Sequence, residues 1–195
     1  MAETEHDAEV AEDRIAEQEL DPEVIVRREA ALMHVVKFGD PALRAEARPI
    51  DTFDDRLRAE IARMAGLMND AMGIGLAATQ LGTLHRVLVY RLEHSSPVNA
   101  LVNPVLDWAS SEQEWLEEGC LSLPGVHVDV ERPIHARVRA QDSFGGEIVI
   151  EASGLEARVI QHEMDHLDGV LILDRTPRDQ RKEAMRVLRE RLEAA

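Results

Sequence analysis

The chain has 195 residues, of which 45% are hydrophobic and 31% are charged, and its net charge is −16. This length and composition predict one globular domain. The negative charge argues against a general nucleic-acid-binding protein, because phosphate binding needs clustered lysine and arginine. No apolar stretch approaches the roughly 20 residues of a membrane span. Cys120 is the only cysteine, which is typical of a reducing compartment, so we expect a cytoplasmic protein with no membrane partner.

The acidity is concentrated near the N-terminus. Residues 1–31 contain eleven acidic and three basic residues, a net charge of −8, and few large apolar ones. We expect this segment to be an acidic extension, flexible or marginally helical, with a partner-binding arm as the alternative. Asp21 and Pro22 would cap and start a short helix that runs to about Met33. Residues 32–195 would form the folded domain.

Further along the chain, apolar residues at spacings of four and three predict an amphipathic helix with its cap near Asp51 or Thr52. These apolar residues are Phe53, Leu57, Ile61, Met64 and Met68. Residues 73–76 would end this helix, and segment 73–80 taken alone is most simply a loop before a short helix of small residues. Strands are predicted at 86–91, 126–130, 134–140 and 147–151, and helices at 155–167 and 178–192. Because strands and helices do not alternate regularly, the pattern favours an α+β fold.

Residues 162–166 read His-Glu-Met-Asp-His. Two histidines four residues apart lie on one face of a helix and can bind one metal ion. Glu163 would lie beside that ion, where a general base is needed. The predicted helix is apolar on two sides, which indicates that it is buried. Because buried polar groups need partners, we interpret the pattern as a metal site rather than as two solvated histidines.

A hydrolytic metal site usually has a third protein ligand. Cys120, 42 residues before His162, is the candidate, although a lone cysteine is by itself more typical of a small buried apolar residue. Gly119 would allow the backbone to approach the metal closely. A further segment, 73–80, ends in Gln80, whose side-chain amide could stabilise an oxyanion.

Together the three segments resemble the motifs of peptide deformylases. Gly-x-Gly-x-Ala-Ala-x-Gln stands at 73–80, Glu-Gly-Cys-x-Ser at 118–122 and Gln-His-Glu-x-Asp-His at 161–166. The resemblance runs from about Val35 to the C-terminal helix. It implies antiparallel β-sheets packed around a central helix that carries the H-E-x-x-H motif, followed by a C-terminal helix. It also implies that 32–195 is the catalytic domain.

The resemblance implies a cytoplasmic hydrolase that removes the N-formyl group from the initiator methionine of nascent polypeptides. By that similarity Cys120, His162 and His166 hold the metal. Glu163 takes a proton from the attacking water and passes it to the leaving amine. The Gln80 side chain and the Leu121 backbone N–H face the developing oxyanion.

The substrate pocket implied by the resemblance is apolar, as a methionine side chain requires. Its residues are Gly73, Ile74, Gly75, Leu116, Gly119, Leu155 and Val159, and the main chains of Ile74 and Gly119 would pair with the substrate. Glu118 and Arg132 are expected to support the metal ligands. Arg158 stands where some family members have an apolar pocket residue, which predicts a more polar pocket rim.

The resemblance implies one divalent ion, Fe²⁺ in the cell, although two histidines and a cysteine also suit Zn²⁺, Ni²⁺ or Co²⁺. Two other functions stay open, a metal-dependent amidase with another acyl substrate and a protein that only binds N-termini. The intact Glu163 argues against the second. Segment 175–195 has a net charge of +3, which by itself is typical of a solvated helix face. The resemblance implies docking on ribosomal RNA as the alternative.

Overall fold

The structure is a computed structural model, and it describes residues 21–93 and 95–194. The helices of these ranges are α1 (Pro22–Leu32), α2 (Asp55–Asp70), α3 (Leu155–Leu167), α4 (Ile172–Arg175) and α5 (Arg178–Ala194). The strands are β1 (Gly75–Ala77), β2 (Val87–Tyr90), β3 (Asn99–Ala109), β4 (Gln113–Gly119), β5 (His127–Pro133), β6 (His135–Gln141) and β7 (Glu147–Ser153). Residues 1–20 of the predicted acidic extension lie outside the described ranges.

The strands form two antiparallel sheets. One sheet has five strands in the order β1-β2-β3-β6-β7, and β4 and β5 form a separate two-stranded sheet. The predicted α+β fold with antiparallel sheets is therefore confirmed. Since β1 and β4 each pair with one strand only, both present an edge that carries no strand partner among the described residues.

Strand β2 separates two hydrophobic clusters, and all four of its residues are buried. Leu88 and Tyr90 belong to the cluster on the α3 side, while Val87 and Val89 pack with residues of α2 on the other side. Alternating side chains point to opposite faces of a sheet, so a strand covered on both faces reads as a continuous apolar run. This burial fixes the first sheet between α2 and α3.

Helix α3 is the central helix of the fold. Its bounds, Leu155–Leu167, match the prediction, and ten of its thirteen residues are buried. Gly154 precedes the helix with φ +58°, a conformation that favours glycine. The helix packs against β1, β2, β5 and β7, so its polar residues must find partners inside the protein.

Helices α4 and α5 cover the β4–β5 sheet. Val128 and Val130 of β5 share a hydrophobic cluster with Ile172 of α4 and with Ala184 and Leu188 of α5. The partly buried Cys120 packs against the same cluster. The C-terminal helices thereby support the strand pair from which Cys120 extends.

The structure differs from the predictions at three places. Asp54, not Asp51 or Thr52, caps α2, because its carboxylate accepts hydrogen bonds from the N–H groups of Arg56 and Leu57. The expected short helix after residues 73–76 is strand β1 and a single 3-10 turn, Ala78–Leu81. Strands β3 and β4 and helix α4 had no predicted counterpart. Within the described ranges, no helix is both long and apolar enough to cross a membrane.

Candidate metal centre

Two imidazoles and one thiol meet at one point of the structure. His162 and His166 are one turn apart on α3, with ring centroids 5.0 Å from each other. Cys120 follows directly after β4 and places its Sγ 3.3 Å from His166 Nε2. One ligand atom from each residue lies within 4.8 Å of the other two. The fold thus brings together the three predicted ligands, and this donor set suits divalent ions such as Zn²⁺, Fe²⁺ and Ni²⁺.

A buried carboxylate fixes the orientation of the first histidine. His162 Nδ1 lies 2.9 Å from Glu118 Oε2, and since an ionised carboxylate only accepts hydrogen bonds, Nδ1 donates and Nε2 is left for a metal. Arg132 donates to the same carboxylate from Nε at 2.6 Å and from Nη2 at 2.9 Å. Burial would raise the pKa of Glu118, but the hydrogen bonds from His162 and Arg132 outweigh it and hold that pKa well below its usual range.

The two histidines differ in proton affinity. Burial lowers the pKa of His162, but hydrogen bonds to Cys120 and Glu118 outweigh it and raise the value to about 10. Burial, together with the charge of His162, lowers the pKa of His166 well below the ordinary value. Only a neutral imidazole binds a metal. A cation in this cluster would therefore compete with a proton at His162.

Glu163 lies beside the cluster and is 4% exposed. Its Oε2 atom has no hydrogen-bond partner in the part of the chain that the structure describes. Burial raises its pKa to about 7, although the charges of His162 and Arg132 act in the opposite direction. A buried oxygen without a protein partner calls for a water or a ligand. The residue can gain and lose a proton near neutral pH, as a general base and acid must.

Local hydrogen bonds orient the Gln80 side-chain amide and the peptide unit between Cys120 and Leu121. Gln80 Oε1 accepts a hydrogen bond from the Ala77 N–H at 2.9 Å, so Gln80 Nε2 points toward Cys120 Sγ, 3.6 Å away, and Ser122 Oγ, 3.3 Å away. The Cys120 carbonyl accepts from the Leu123 N–H at 2.9 Å. This bond fixes the peptide unit that also carries the Leu121 N–H.

The predicted pocket glycines lie where side chains do not fit. A Cβ atom at Gly75 would lie 2.3 Å from Glu163 Oε1, and one at Gly73 would lie 3.1 Å from Leu121 Cδ1. Gly119 is the last residue of β4 and pairs with His127 of β5. The structure thus places Gly73 and Gly75 against the residues of the cluster, where the backbone alone can approach.

Three of the predicted pocket side chains are apolar and partly open to solvent. Ile74 is 43%, Leu116 44% and Leu155 52% exposed. Val159 is buried in the hydrophobic core cluster between α3 and the five-stranded sheet and contributes little accessible surface. Exposed apolar side chains close to buried polar groups are typical of ligand sites.

The expectation for Arg158 is wrong. Its side chain does not make the pocket rim polar, because it is buried and donates to Glu118 Oε1 at 2.7 Å. It also donates to the carbonyls of Val130 at 2.9 Å and Glu114 at 2.7 Å. A buried guanidinium needs acceptors, and the carboxylate and the two strands supply them.

Two charged residues next to the site, Asp165 and Arg175, were not assigned a role in the sequence analysis. Asp165 accepts a hydrogen bond from Arg132 Nη1 at 2.8 Å and two from Arg175, at 2.6 and 2.5 Å. The available signal was an aspartate inside a helix predicted to be buried, because such a carboxylate needs a cationic partner. Which arginine would be the partner does not follow from the residues around Asp165.

Comparisons with known proteins show which family the chain resembles. The sequence model of the polypeptide deformylase family matches residues 32–182. A peptide deformylase of Parafrankia is 46% identical over 153 residues, which cover 78% of this chain and 83% of the relative. A peptide deformylase of Treponema pallidum (strain Nichols) is 44% identical over 154 residues, which cover 79% of this chain and 94% of the relative.

Solved structures are similar as well. A peptide deformylase of Synechococcus elongatus in complex with actinonin has a TM-score of 0.75 at 42% identity, covering 77% of this chain and 84% of that chain. A peptide deformylase of Legionella pneumophila has a TM-score of 0.77 at 37% identity, covering 82% of this chain and 96% of that chain. The likeness therefore extends over about four fifths of this chain.

Proposed function

Since the chain belongs to the peptide deformylase family, whose members remove the formyl group from N-formylmethionyl nascent peptides, we propose that it performs this hydrolysis at the cluster of Cys120, His162 and His166. The observation that carries the proposal is the meeting of these three ligand atoms within 4.8 Å of one another. Glu163 lies beside them with a buried oxygen that has no partner among the described residues.

Cys120, His162 and His166 would hold one divalent ion. Such an ion supplies a Lewis acid and makes a water acidic enough to act as a nucleophile near neutral pH. The hydrogen bond from His162 Nδ1 to Glu118 keeps Nε2 directed at the ion. A hydrolytic centre with three protein ligands leaves a position for water or substrate.

Glu163 is the general base and then the general acid. Its carboxylate takes a proton from the attacking water, which bonds to the formyl carbon. The same carboxyl then protonates the nitrogen of methionine as the C–N bond breaks, giving formate and a free amine. The absence of a side chain at Gly75 leaves room for this carboxyl, because a Cβ there would lie 2.3 Å from Glu163 Oε1.

The negative charge of the tetrahedral intermediate falls on the former formyl oxygen. Gln80 Nε2 and the Leu121 N–H are the donors that stabilise it. Their orientation is set in advance by the Ala77 and Leu123 hydrogen bonds described above. Donors that need no reorganisation during the reaction are the effective ones, and removing one typically lowers kcat by about 10²–10³-fold.

The substrate chain would bind between the edges of β1 and β4. Its methionine side chain enters the apolar surface of Ile74, Leu116 and Leu155, while its backbone pairs with the main chains next to Ile74 and Gly119 in strand fashion. The Ile74 carbonyl already accepts a hydrogen bond from the Arg91 N–H at 2.8 Å. The Ile74 N–H donates no main-chain hydrogen bond among the described residues, so we assign it as the group that meets the substrate.

The activity is tested by comparing formyl-Met and acetyl-Met peptides as substrates of the metal-loaded protein. We expect turnover of the formyl peptide only, and E163Q should retain the metal but lose activity. E131Q, which removes an exposed glutamate of β5, is the control and should be unaffected. Equal turnover of both peptides would indicate a broader amidase, binding without turnover would indicate a binding protein, and normal turnover by E163Q would refute the assigned base.

Fe²⁺ is the ion that we propose for the protein in the cell. The softer thiolate and the two imidazoles also accept Zn²⁺, Ni²⁺ and Co²⁺, and Zn²⁺ binds such sites more tightly than Fe²⁺. Elemental analysis of protein purified without oxygen should give about one iron per chain. Stoichiometric zinc from the same preparation would overturn this assignment.

We assign catalysis to residues 32–195 and no catalytic role to the acidic extension 1–31. Helix α1 crosses this boundary, and its residue Ala31 is buried. Removing residues 1–20 should leave the kcat/KM of deformylation unchanged, whereas a loss of more than a few-fold would contradict the assignment. Because the substrates are nascent chains, the proposed site of action is the cytoplasm.

Docking on ribosomal RNA would use one face of α5. At 100° per residue, the basic Arg178, Lys182 and Arg189 lie within about 40° of one another. They are exposed and make no ion pair with another described side chain. Arg186, in contrast, is held by Glu183 and Glu190. Three clustered cations give a local binding surface for phosphates within an acidic chain.

Co-sedimentation with ribosomes at low and moderate salt tests the docking. The triple variant R178Q/K182Q/R189Q should lose ribosome binding, while R63Q/R137Q/R139Q, which removes the same charge from exposed residues elsewhere, should keep it. Substitution is better than deletion here, because Ala184 and Leu188 of α5 belong to the core. Equal binding by both triple variants would refute a specific docking face.

A further inference from the structure

Arg158 connects the central helix to both strands of the β4–β5 sheet. It precedes His162 by four residues on α3, so both side chains lie on neighbouring turns of the same face. One nitrogen, Nη1, donates to Glu118 Oε1 at 2.7 Å and to the Val130 carbonyl at 2.9 Å. The other, Nη2, donates to the Glu114 carbonyl at 2.7 Å. The guanidinium is thus held by three acceptors and is 7% exposed.

The carboxylate of Glu118 is completely occupied by four hydrogen bonds. Oε1 accepts from Arg132 Nε and Arg158 Nη1, and Oε2 accepts from Arg132 Nη2 and His162 Nδ1. An ionised carboxylate has about four lone-pair sites. The Glu118 carboxylate therefore cannot rotate without breaking one of these bonds. Because His162 Nδ1 donates to this carboxylate, the orientation of the imidazole ring is fixed as well.

We propose that Arg158 is a positioning residue for the metal centre, which it serves by locking Glu118 and, through Glu118, the ring of His162. Its bonds to the main chain of β4 and β5 hold the guanidinium in place for this task. Without Arg158, Arg132 would still supply one donor to each oxygen of Glu118. Oε1 would then have a free lone pair, and the Glu118 carboxylate could tilt. Residues that orient a metal ligand in this way typically change metal affinity by about 10–100-fold when they are replaced.

A purely electronic role would have the opposite sign. Removing one cation from Glu118 would make that carboxylate a stronger acceptor, which would make His162 a more basic ligand and strengthen metal binding. Loss of positioning instead weakens metal binding, because His162 Nε2 is no longer held toward the cluster. The direction of the change in affinity thus separates the two explanations.

The test is Co²⁺ binding to the metal-free full-length protein, measured by competition with a chromophoric chelator and by the visible absorption of bound Co²⁺. R158M should lower Co²⁺ affinity about 10–100-fold and alter the absorption bands, while R158K should recover part of the loss. R137M is the matched control, since Arg137 is exposed and pairs with Glu151 on the outer face of the sheet. It should bind Co²⁺ like the unaltered protein.

The path through Glu118 is tested with a double variant. If Arg158 acts through that carboxylate, R158M in an E118Q background should change Co²⁺ affinity less than R158M alone. Fully additive effects would overturn the proposal, as would unaltered or tighter Co²⁺ binding by R158M. Should R158M not fold, judged by circular dichroism, R158Q carries the same test, because a glutamine cannot make all three bonds and unaltered affinity and spectrum in that variant would also refute the proposal.

This inference rests on the proposed function, but the two can fail separately. Absence of stoichiometric Co²⁺ binding by the unaltered protein would overturn the metal centre itself. Normal Co²⁺ binding and a normal spectrum in R158M would overturn the positioning role alone. A thermal unfolding midpoint measured on the metal-free variants shows how much of any loss is a general loss of stability.

Discussion

Substituting Gly75 by alanine should disable the proposed base without removing a single functional group. The new Cβ would lie 2.3 Å from Glu163 Oε1, 2.8 Å from Cδ and 2.9 Å from Cγ. An ordinary contact between a carbon and an oxygen atom is about 3.4 Å, so the carboxyl must move by about 1 Å. Three of its atoms are contacted, so the whole carboxyl must move rather than one oxygen.

A displacement of about 1 Å in a catalytic group can lower the rate about 10²-fold. We therefore expect kcat of G75A for a formyl-Met peptide to fall about 10²-fold, with one metal ion still bound per chain, because no ligand is touched. G66A is the control, since a Cβ at Gly66 in α2 meets nothing within 4 Å, and alanine favours a helix by about 1 kcal/mol over glycine. A normal kcat in G75A would refute this reasoning, and loss of metal would show that the ligands had moved instead.

Three further predictions concern other parts of the molecule. In Q80L, the loss of an oxyanion donor should lower kcat about 10²–10³-fold with a smaller change in KM. Steady-state kinetics that show a higher KM and an unchanged kcat would contradict the assigned role. Hydrogen peroxide should inactivate the iron-loaded protein by oxidising the thiolate of Cys120. Mass spectrometry of the inactivated protein should find the added oxygen on that residue. Inactivation with an unmodified Cys120 would show that thiol oxidation is not the cause. For Asp174, burial would raise the pKa, but hydrogen bonds from Arg44 and the Leu171 N–H outweigh it and lower the pKa. The ionised carboxylate therefore stabilises the fold at pH values above its unfolded pKa of about 4. This stabilisation is lost as the pH falls through the lower pKa of the folded state. D174N should accordingly lower the free energy of unfolding of the metal-free protein by up to about 1 kcal/mol at pH 7 and by less at pH 3 in urea titrations, and an equal loss at both pH values would contradict the sign.

Some strands could not be predicted, because their residues do not alternate in polarity. Strand β3 contains register shifts between Val102 and Val105 and between Leu106 and Trp108, and Asn103 has φ +53°. Each bulge turns the following side chains to the other face, so the period of two is lost. Strand β4 is exposed at all residues except Glu118, so it shows no apolar periodicity from which a strand could be recognised.

The sequence by itself determined the long periodic helices and the short motifs, which depend on neighbours along the chain. Helical periodicity gave the bounds of α3, and the spacing of four between His162 and His166 placed both imidazoles on one face. The short motifs around Gln80 and Cys120 gave the family and a list of candidate residues. These features follow from local geometry, which a stretch of a few residues encodes completely.

Only the tertiary structure decided how distant residues meet. Cys120 reaches His166 because β4 and β5 pack against α3 and the C-terminal helices, which no spacing in the sequence reveals. The same packing places the Arg158 guanidinium within hydrogen-bond distance of the Glu118 carboxylate rather than at the pocket rim. A buried charge takes the partner that the fold brings within hydrogen-bond distance, and that distance is set by the arrangement of sheets and helices rather than by the sequence around the charge.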